Sequence, residues 1–165
     1  MSPIARPLLA ASLAMLAISA FAEASVAAAP VAAPHAAGIV RLHSANDFDQ
    51  TVARLKSDVV AKGIRFFDQI DQTALGAGAD LKIRRSTLVL FGNPPLGVQF
   101  LQSNPYAGLD WPVRMLVTED ADGSIWVAWT DFDFIANRYA IADRAPQFKM
   151  ASEVALSIAT AATAR

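Results

Sequence analysis

Four residues of this chain have types and positions that suit the binding of a small molecule: Gly92, Asn93, Asp131 and Arg138. Gly92 and Asn93 follow an apolar segment that is predicted to be a strand, and ligands often meet proteins at the ends of strands. The Asn93 amide offers both hydrogen-bond donors and acceptors. The alternative is that Asn93 caps the following turn while Pro94 fixes the backbone.

Asp131 and Arg138 are seven residues apart, which places them on one face of a helix two turns long. The Arg138 guanidinium keeps its charge and can hold a carboxylate through two parallel hydrogen bonds. Together with Asn93, these residues define one hypothesis, an enzyme of unfamiliar design with a pocket around all three. The alternative is structural: either the two residues form an ion pair, or Asp131 caps the helix and Arg138 is a surface residue.

Other reactive patterns are absent from the sequence. It contains no cysteine, and His43 is the only histidine beyond the Ala/Pro-rich segment that holds His35. No nucleophile elbow, metalloprotease motif or phosphate loop is present. The run from Asp120 to Gly123 contains two calcium-type ligands, but its glycine and flanking strands favour a hairpin turn. The sequence therefore predicts no catalytic residue, no metal site and no cofactor.

Charge and cysteine content narrow the possible partners. Without Arg6, which lies in the predicted signal peptide, 13 of the 14 basic residues remain against 15 acidic ones, a net charge of −2. No basic stripe is present to neutralise nucleic-acid phosphates or to attract an anionic membrane, so neither partner is expected. The absence of cysteine excludes disulfides and thiol-ligated metals.

The first 22 residues have the layout of a secretory signal peptide. Arg6 supplies the positive region, residues 8–21 are uncharged and largely apolar, and Ala20-Phe21-Ala22 fits a cleavage site. Cleavage after Ala22 predicts a periplasmic or secreted protein that keeps no membrane segment. Residues 23–38, rich in Ala, Val and Pro, are typical of a flexible linker, so the folded domain is expected at residues 39–165.

Hydrophobic periodicity predicts both helices and strands within this single domain. Helical spacing predicts a first helix near residues 47–62, with Ser44 or Asn46 as its N-cap and Gly63 as its stop. The segment 86–91 is apolar on both faces, which indicates a central strand of the sheet. A loop and then a short helix are expected over 94–103. The other predicted elements are strands at 39–43, 64–70, 113–118 and 124–130, and helices at 72–79, 132–139 and 148–162. The order predicts an α+β two-layer sandwich, a mostly antiparallel sheet covered by helices.

Several short motifs resemble those of the bacterial family called domain of unknown function 302. They include Thr51-Val52-Ala53-Arg54-Leu55, Phe91-Gly92-Asn93-Pro94 with Leu96-Gly97, Gly108-Leu109-Asp110-Trp111-Pro112, and Asp131 with Arg138. The resemblance implies a compact α+β unit that self-associates. The family has no established reaction, so the resemblance supplies no catalytic residue. Many members carry histidines where this chain has Asp71 or Gln72 and Tyr139, which implies that any metal or haem site built on them is lost here.

These observations favour an exported, non-catalytic module that binds a small molecule or forms a homodimer. The aromatic residues around the last predicted strand, Trp126, Trp129, Phe132 and Phe134, contribute to this expectation. Such side chains can line a ligand groove, but they more often pack in a core or against a second subunit.

Overall fold

The structure, a computed structural model, describes residues 38–165; the predicted signal peptide (1–22) and residues 23–37 of the predicted linker lie outside the described residues. Five strands, five α-helices and one short 3-10 helix make up this part of the chain. Within it, no helix combines the length and hydropathy needed to cross a bilayer. The strands are β1 (Ile39–His43), β2 (Arg65–Asp71), β3 (Ser86–Gly92), β4 (Val113–Glu119) and β5 (Ile125–Thr130), and the helices are α1 (Phe48–Ala61), α2 (Gln72–Gly78), α3 (Pro94–Ser103), α4 (Phe132–Arg138) and α5 (Ala145–Thr163), with the 3-10 helix at Pro105–Leu109.

The five strands form one sheet in the order β1-β5-β4-β3-β2, and each neighbouring pair is antiparallel. Helices α1 and α5 pack against each other and against the sheet. Every second side chain along the strands points into the core between these layers. Val89, Met115 and Val127 are examples, and all three are fully buried. The predicted α+β two-layer sandwich is therefore confirmed.

Helix α1 follows the predicted periodicity, but its N-cap lies one residue after Asn46 and three after Ser44. Asp47 is the N-cap, and its carboxylate accepts from the Gln50 N–H at 2.8 Å. The expectation that Ser44 or Asn46 caps this helix is wrong because both side chains have other partners. The Ser44 hydroxyl bonds Thr51 Oγ1 at 2.7 Å, and the Asn46 amide donates to the carbonyls of residues 162 and 164 at the end of α5.

The hairpin of β4 and β5 agrees with the prediction to within one residue at each strand end. Met115 pairs with Trp129 and Val117 with Val127, so the apolar residues of both strands point into the core. The loop closes through a hydrogen bond from the Asp120 N–H to the Ser124 carbonyl. Gly123 has a φ of +83°, the left-handed conformation that glycine adopts without a steric penalty.

Helix α3 begins earlier than the sequence suggested. A loop was expected before the helix, but Pro94 and Pro95 form its first turn. Proline suits this position because the first N–H groups of a helix have no intrahelical partner and its φ is already helical.

Strand β3 is apolar on both sides, yet helices cover only one of them. It lies between β4 and β2, and its inward residues Val89 and Phe91 belong to the core, whereas Leu88 and Leu90 do not. β3 is therefore an interior strand of the sheet, as predicted, and helices cover its inner face alone. Leu88 and Leu90 lie on the outer face beside similar half-buried residues, and we name this set the outer-face patch: Ile70, Leu88, Leu90, Leu116, Trp126 and Ala128.

Candidate functional site

Gly92 and Asn93 lie where β3 passes into α3, as the sequence indicated. The Asn93 carbonyl accepts from the N–H groups of Leu96 at 3.0 Å and Gly97 at 2.8 Å, so its backbone starts the helix. Its side chain makes no capping hydrogen bond and is exposed. The Asn93 amide is thus accessible to solvent, and ligand binding by this residue stays a prediction.

The glycines on either side of Asn93 make room for an aromatic ring. The Trp111 indole lies against both Gly92 and Gly97, and a Cβ at Gly92 would be 3.2 Å from its Nε1. The same ring meets Phe67 edge to face, with 5.8 Å between the ring centroids. These contacts join the Phe91–Gly97 and Gly108–Pro112 motifs, which are far apart in the sequence.

Asp131 has a structural role at the start of α4. Its carboxylate accepts from the Phe134 N–H at 2.8 Å, and its own N–H donates to the Gly38 carbonyl at 2.8 Å. The aromatic residues around it divide between two environments. Trp129 and Phe132 are buried in the core, whereas Trp126 lies on the outer face of the sheet.

Arg138 belongs to a cluster centred on a buried carboxylate, Asp110, whose side chain is 3 % exposed. Arg138 Nη1 lies 3.3 Å from Asp110 Oδ2, and Arg114 donates to the other oxygen. The Tyr139 hydroxyl donates to Oδ2 at 2.6 Å, and this hydrogen bond to a carboxylate raises the pKa of Tyr139 above its usual value. The four side chains connect the segment before β4 to the end of α4.

The predicted residues lie at one end of the sheet but do not form a common site through hydrogen bonds. Phe91 pairs with Val113 and Met115 with Trp129, so the end of β3, the start of β4 and the end of β5 are aligned. Among residues 38–165, no hydrogen bond joins Asn93, Asp131 and Arg138 to one another. The cavity beside Asp110 has a volume of about 10 Å³, which leaves room for one water molecule at most.

Metal-binding residues do not gather in the described part of the chain. No three His, Cys, Asp or Glu side chains between residues 38 and 165 lie close enough to hold an ion. The His43 ring instead packs edge to face on Trp126, with 5.1 Å between centroids. Two positions that the family resemblance singled out have structural contacts: Asp71 caps α2, and Tyr139 bonds Asp110.

Two other surfaces were not identified from the sequence. The first is the outer-face patch; apolar residues on both sides of β3 indicate a central strand but do not show which face stays uncovered. The second is a groove between α1 and β2, whose lining includes Lys56, Gln69 and Arg85. Its sequence signal is the pair of polar residues, Gln69 and Asp71, at inward positions of β2.

Comparison with known proteins agrees with this architecture. The chain is similar to the fluoride-specific ion channel FluC 1 of Brucella suis biovar 1 (strain 1330), with 30% identity over 112 residues, 68% of this chain and 44% of the relative. FluC 2 of Brucella melitensis biotype 1 is likewise 30% identical over 112 residues, 68% of this chain and 42% of the relative. This chain thus spans less than half the length of these curated relatives.

A crystal structure of an uncharacterized conserved protein DUF302 from Bacillus stearothermophilus has the same fold. It superposes with a TM-score of 0.69 at 12% identity, and the match covers 76% of this chain and 98% of the other. The profile described as Domain of unknown function DUF302 matches residues 40–163, nearly the whole of the described domain. The chain therefore belongs to the DUF302 family.

Proposed function

We propose that this chain is an exported, non-catalytic domain that self-associates through the outer face of its sheet. The observation that carries the proposal is the outer-face patch. Ile70 pairs with Leu88, Leu88 with Leu116, and Leu116 with Ala128, so apolar side chains cross four neighbouring strands in one row. Contiguous apolar patches of this kind mark interaction surfaces.

The dimensions of the sheet support a second copy as the occupant of this face. Five strands about 4.8 Å apart and about six residues long give a face of roughly 24 by 20 Å. Two such faces in contact bury about 1,000 Å² in total, which is the lower bound for a specific protein interface. Stacked sheets also keep their strands nearly aligned, as a pair of identical faces permits.

Charges at the two edges of the face are complementary. Asp68 of β2 pairs with Leu90 of β3 and lies on the outer side of one edge. Arg41 of β1 pairs with Ala128 of β5 and lies on the outer side of the other edge. A two-fold axis parallel to the strands brings the β2 edge of one copy against the β1 edge of the other. Asp68 then approaches Arg41, which also pairs with Asp120 at 3.3 Å, so the edges attract weakly while the apolar centre is buried.

The charged residues predicted at the site already have partners within the protein, which supports a non-catalytic role. Asp131 caps α4 and Arg138 pairs with Asp110, so neither charged group is uncommitted. A catalytic acid or base needs to reach a substrate atom directly or through one water. The cavity beside Asp110 is too small for a substrate.

The oligomeric state tests the self-association. We expect the mature protein to elute as a dimer in size-exclusion chromatography with light scattering. Leu116→Asp places a charge at the centre of the proposed interface and should give a folded monomer. Leu109→Asp makes the same change at a leucine that is 67% exposed outside the sheet, and should remain dimeric. A monomeric wild-type protein at micromolar concentration contradicts the proposal.

Export rests on the layout of residues 1–22. Sequencing the N-terminus of the protein recovered from the periplasm or the medium should give Glu23 as the first residue. Recovery of the intact chain in the cytoplasm contradicts export, and it leaves the proposed interface unaffected.

A further inference from the structure

A groove of about 550 Å³ lies between α1 and the edge strand β2, on the inner side of the sheet. This volume is in the range of small-molecule sites. The groove reaches Thr87 near the start of β3, whereas Gly92 and Asn93 lie at the other end of that strand. It is therefore separate from the residues that the sequence suggested and from the outer-face patch.

Polar residues at inward positions of β2 keep the groove open. Gln69 pairs with Val89 and Asp71 with Thr87, and these β3 partners are buried beneath the helical layer. Apolar side chains at positions 69 and 71 would extend the core to the edge of the sheet. A glutamine and an aspartate do not, because burying them without partners costs free energy.

Lys56 is the cation of this groove that no carboxylate neutralises. Its Nζ donates to Gln69 Oε1 at 2.9 Å, and the ion pairs formed within residues 38–165 do not include it. Because the Gln69 carbonyl oxygen accepts from Lys56, the amide nitrogen of Gln69 is a second donor beside the ammonium. Two adjacent donors, one of them charged, match the two oxygens of a carboxylate.

The remaining charges of the groove are occupied by protein partners. Asp49 and Arg85 form a bidentate pair with distances of 2.5 and 3.0 Å, and the pair lowers the pKa of Asp49. The Asp71 carboxylate accepts from the Ala74 N–H at 3.0 Å. The Arg85 guanidinium lies 4.2 Å above the Phe48 ring, so this wall of the groove is apolar beneath a charged rim.

We propose that this groove binds a small carboxylate, which accepts from the Lys56 ammonium and the Gln69 amide and lays its apolar part against Phe48 and Val52. Next to the Lys56 ammonium an anion is favoured over a cation, although the Asp71 carboxylate of the groove keeps its charge. A phosphate group carries more charge and usually gathers more donors than one lysine and one amide. The site adds a ligand to the proposed self-associating domain, and it uses the opposite face of the sheet.

Titration of the ¹⁵N-labelled mature protein with sodium propionate tests the proposal. We expect saturable shifts confined to the amides of residues 52–56 and 69–73. Sodium phosphate at the same ionic strength should give weaker shifts there. Absence of saturable shifts, or an equal response to phosphate, overturns the carboxylate assignment.

Variants of two lysines on α1 make the test specific. Lys56→Met keeps a long helix-compatible side chain but removes the charge, and should weaken propionate binding about tenfold or more. Lys62→Met removes a lysine that pairs with Asp58 at 2.5 Å outside the groove, and should leave the affinity unchanged. Equal affinities in Lys56→Met and the wild type contradict the proposal.

A third variant changes affinity in the opposite direction. Asp49→Asn releases the Arg85 guanidinium at the rim of the groove and should tighten propionate binding several-fold at low salt. Leu116→Asp, which tests the dimer, should bind propionate as the wild type does. Loss of binding in Asp49→Asn, with the fold intact, contradicts the proposed role of the groove charges.

Discussion

The Trp111 indole lies directly against the Cα of Gly97, so that any side chain at position 97 would overlap the ring. The ring therefore fixes the distance between α3 and the segment that precedes β4. Gly97 is buried inside a helix, where glycine is otherwise unfavourable, and the close approach of Trp111 explains its presence. Two motifs that gave the family resemblance thus meet at this contact.

Gly97→Ala should destabilise the domain by about 2 kcal/mol, because overpacking against Trp111 outweighs the gain in helix propensity. Urea denaturation followed by circular dichroism measures the change. Gly78→Ala is the matched control, since a Cβ there meets nothing within 4 Å at the end of α2. It should be neutral or slightly stabilising, and a comparable loss in both variants would show that the Trp111 contact is not the cause.

Asp110→Asn should lower the free energy of unfolding by about 2 kcal/mol. The amide keeps the shape of the buried side chain but loses the charge that holds Arg114 and Arg138. The loss is moderate because both arginines are about half exposed and regain water. Glu153→Gln, which removes a carboxylate 67% exposed and 3.9 Å from Lys149, should change stability by less than about 0.5 kcal/mol.

The Tyr139 hydrogen bond predicts a loss of stability at alkaline pH. The hydrogen bond to Asp110 raises the folded-state pKa of Tyr139 above its ordinary value, so the folded protein holds the phenol proton more tightly than the unfolded chain. The contribution is complete below the unfolded pKa and is lost as the pH rises through the folded pKa. Stability measured upward from about pH 9 should fall less steeply in Tyr139→Phe than in the wild type.

Tyr106 provides the control for this measurement, because it is 72% exposed and is the other tyrosine of the chain. Tyr106→Phe should keep the steep alkaline decline. The same decline in all three proteins would mean that the Asp110–Tyr139 hydrogen bond does not couple folding to pH.

Alanine substitutions distinguish Asp131, whose side chain caps α4, from Asn93, whose side chain makes no capping hydrogen bond. Asp131→Ala should cost about 1 kcal/mol, because the Phe134 N–H loses its acceptor. Asn93→Ala should change stability by less than about 0.5 kcal/mol, since the exposed amide makes no capping hydrogen bond. Thermal unfolding compares the two, and a larger loss in Asn93→Ala would reverse this assignment.

The elements of the fold could be predicted because their residues obey local rules. The spacing of Phe48, Val52, Leu55 and Val59 gives α1 a single apolar face, and Gly63 with a φ of +67° ends it. The cap of α1 could not be predicted, since Ser44 and Asn46 are also good caps. Their use elsewhere depends on contacts with Thr51 and with the end of α5, which only the tertiary structure provides.

The candidate surfaces were harder to predict for the same reason. Asp131 and Arg138 stood out by type, but the partner of Arg138, Asp110, is 28 residues away in the sequence. Leu88 and Leu90 add apolar side chains to the outer side of a central strand, and periodicity alone does not show whether another layer covers them. Lys56 and Gln69 meet across an α–β connection, so neither residue indicated the groove by itself.

The hydrogen bonds from Asn46 to the end of α5 determine when the domain can complete its fold. The Asn46 amide finds its acceptors 116 and 118 residues further along the chain, and β1 pairs with β5 rather than with a neighbour in sequence. During synthesis, β1 therefore has no partner until β5, at residues 125–130, has left the ribosome. Such long-range closure delays the folding of the nascent chain.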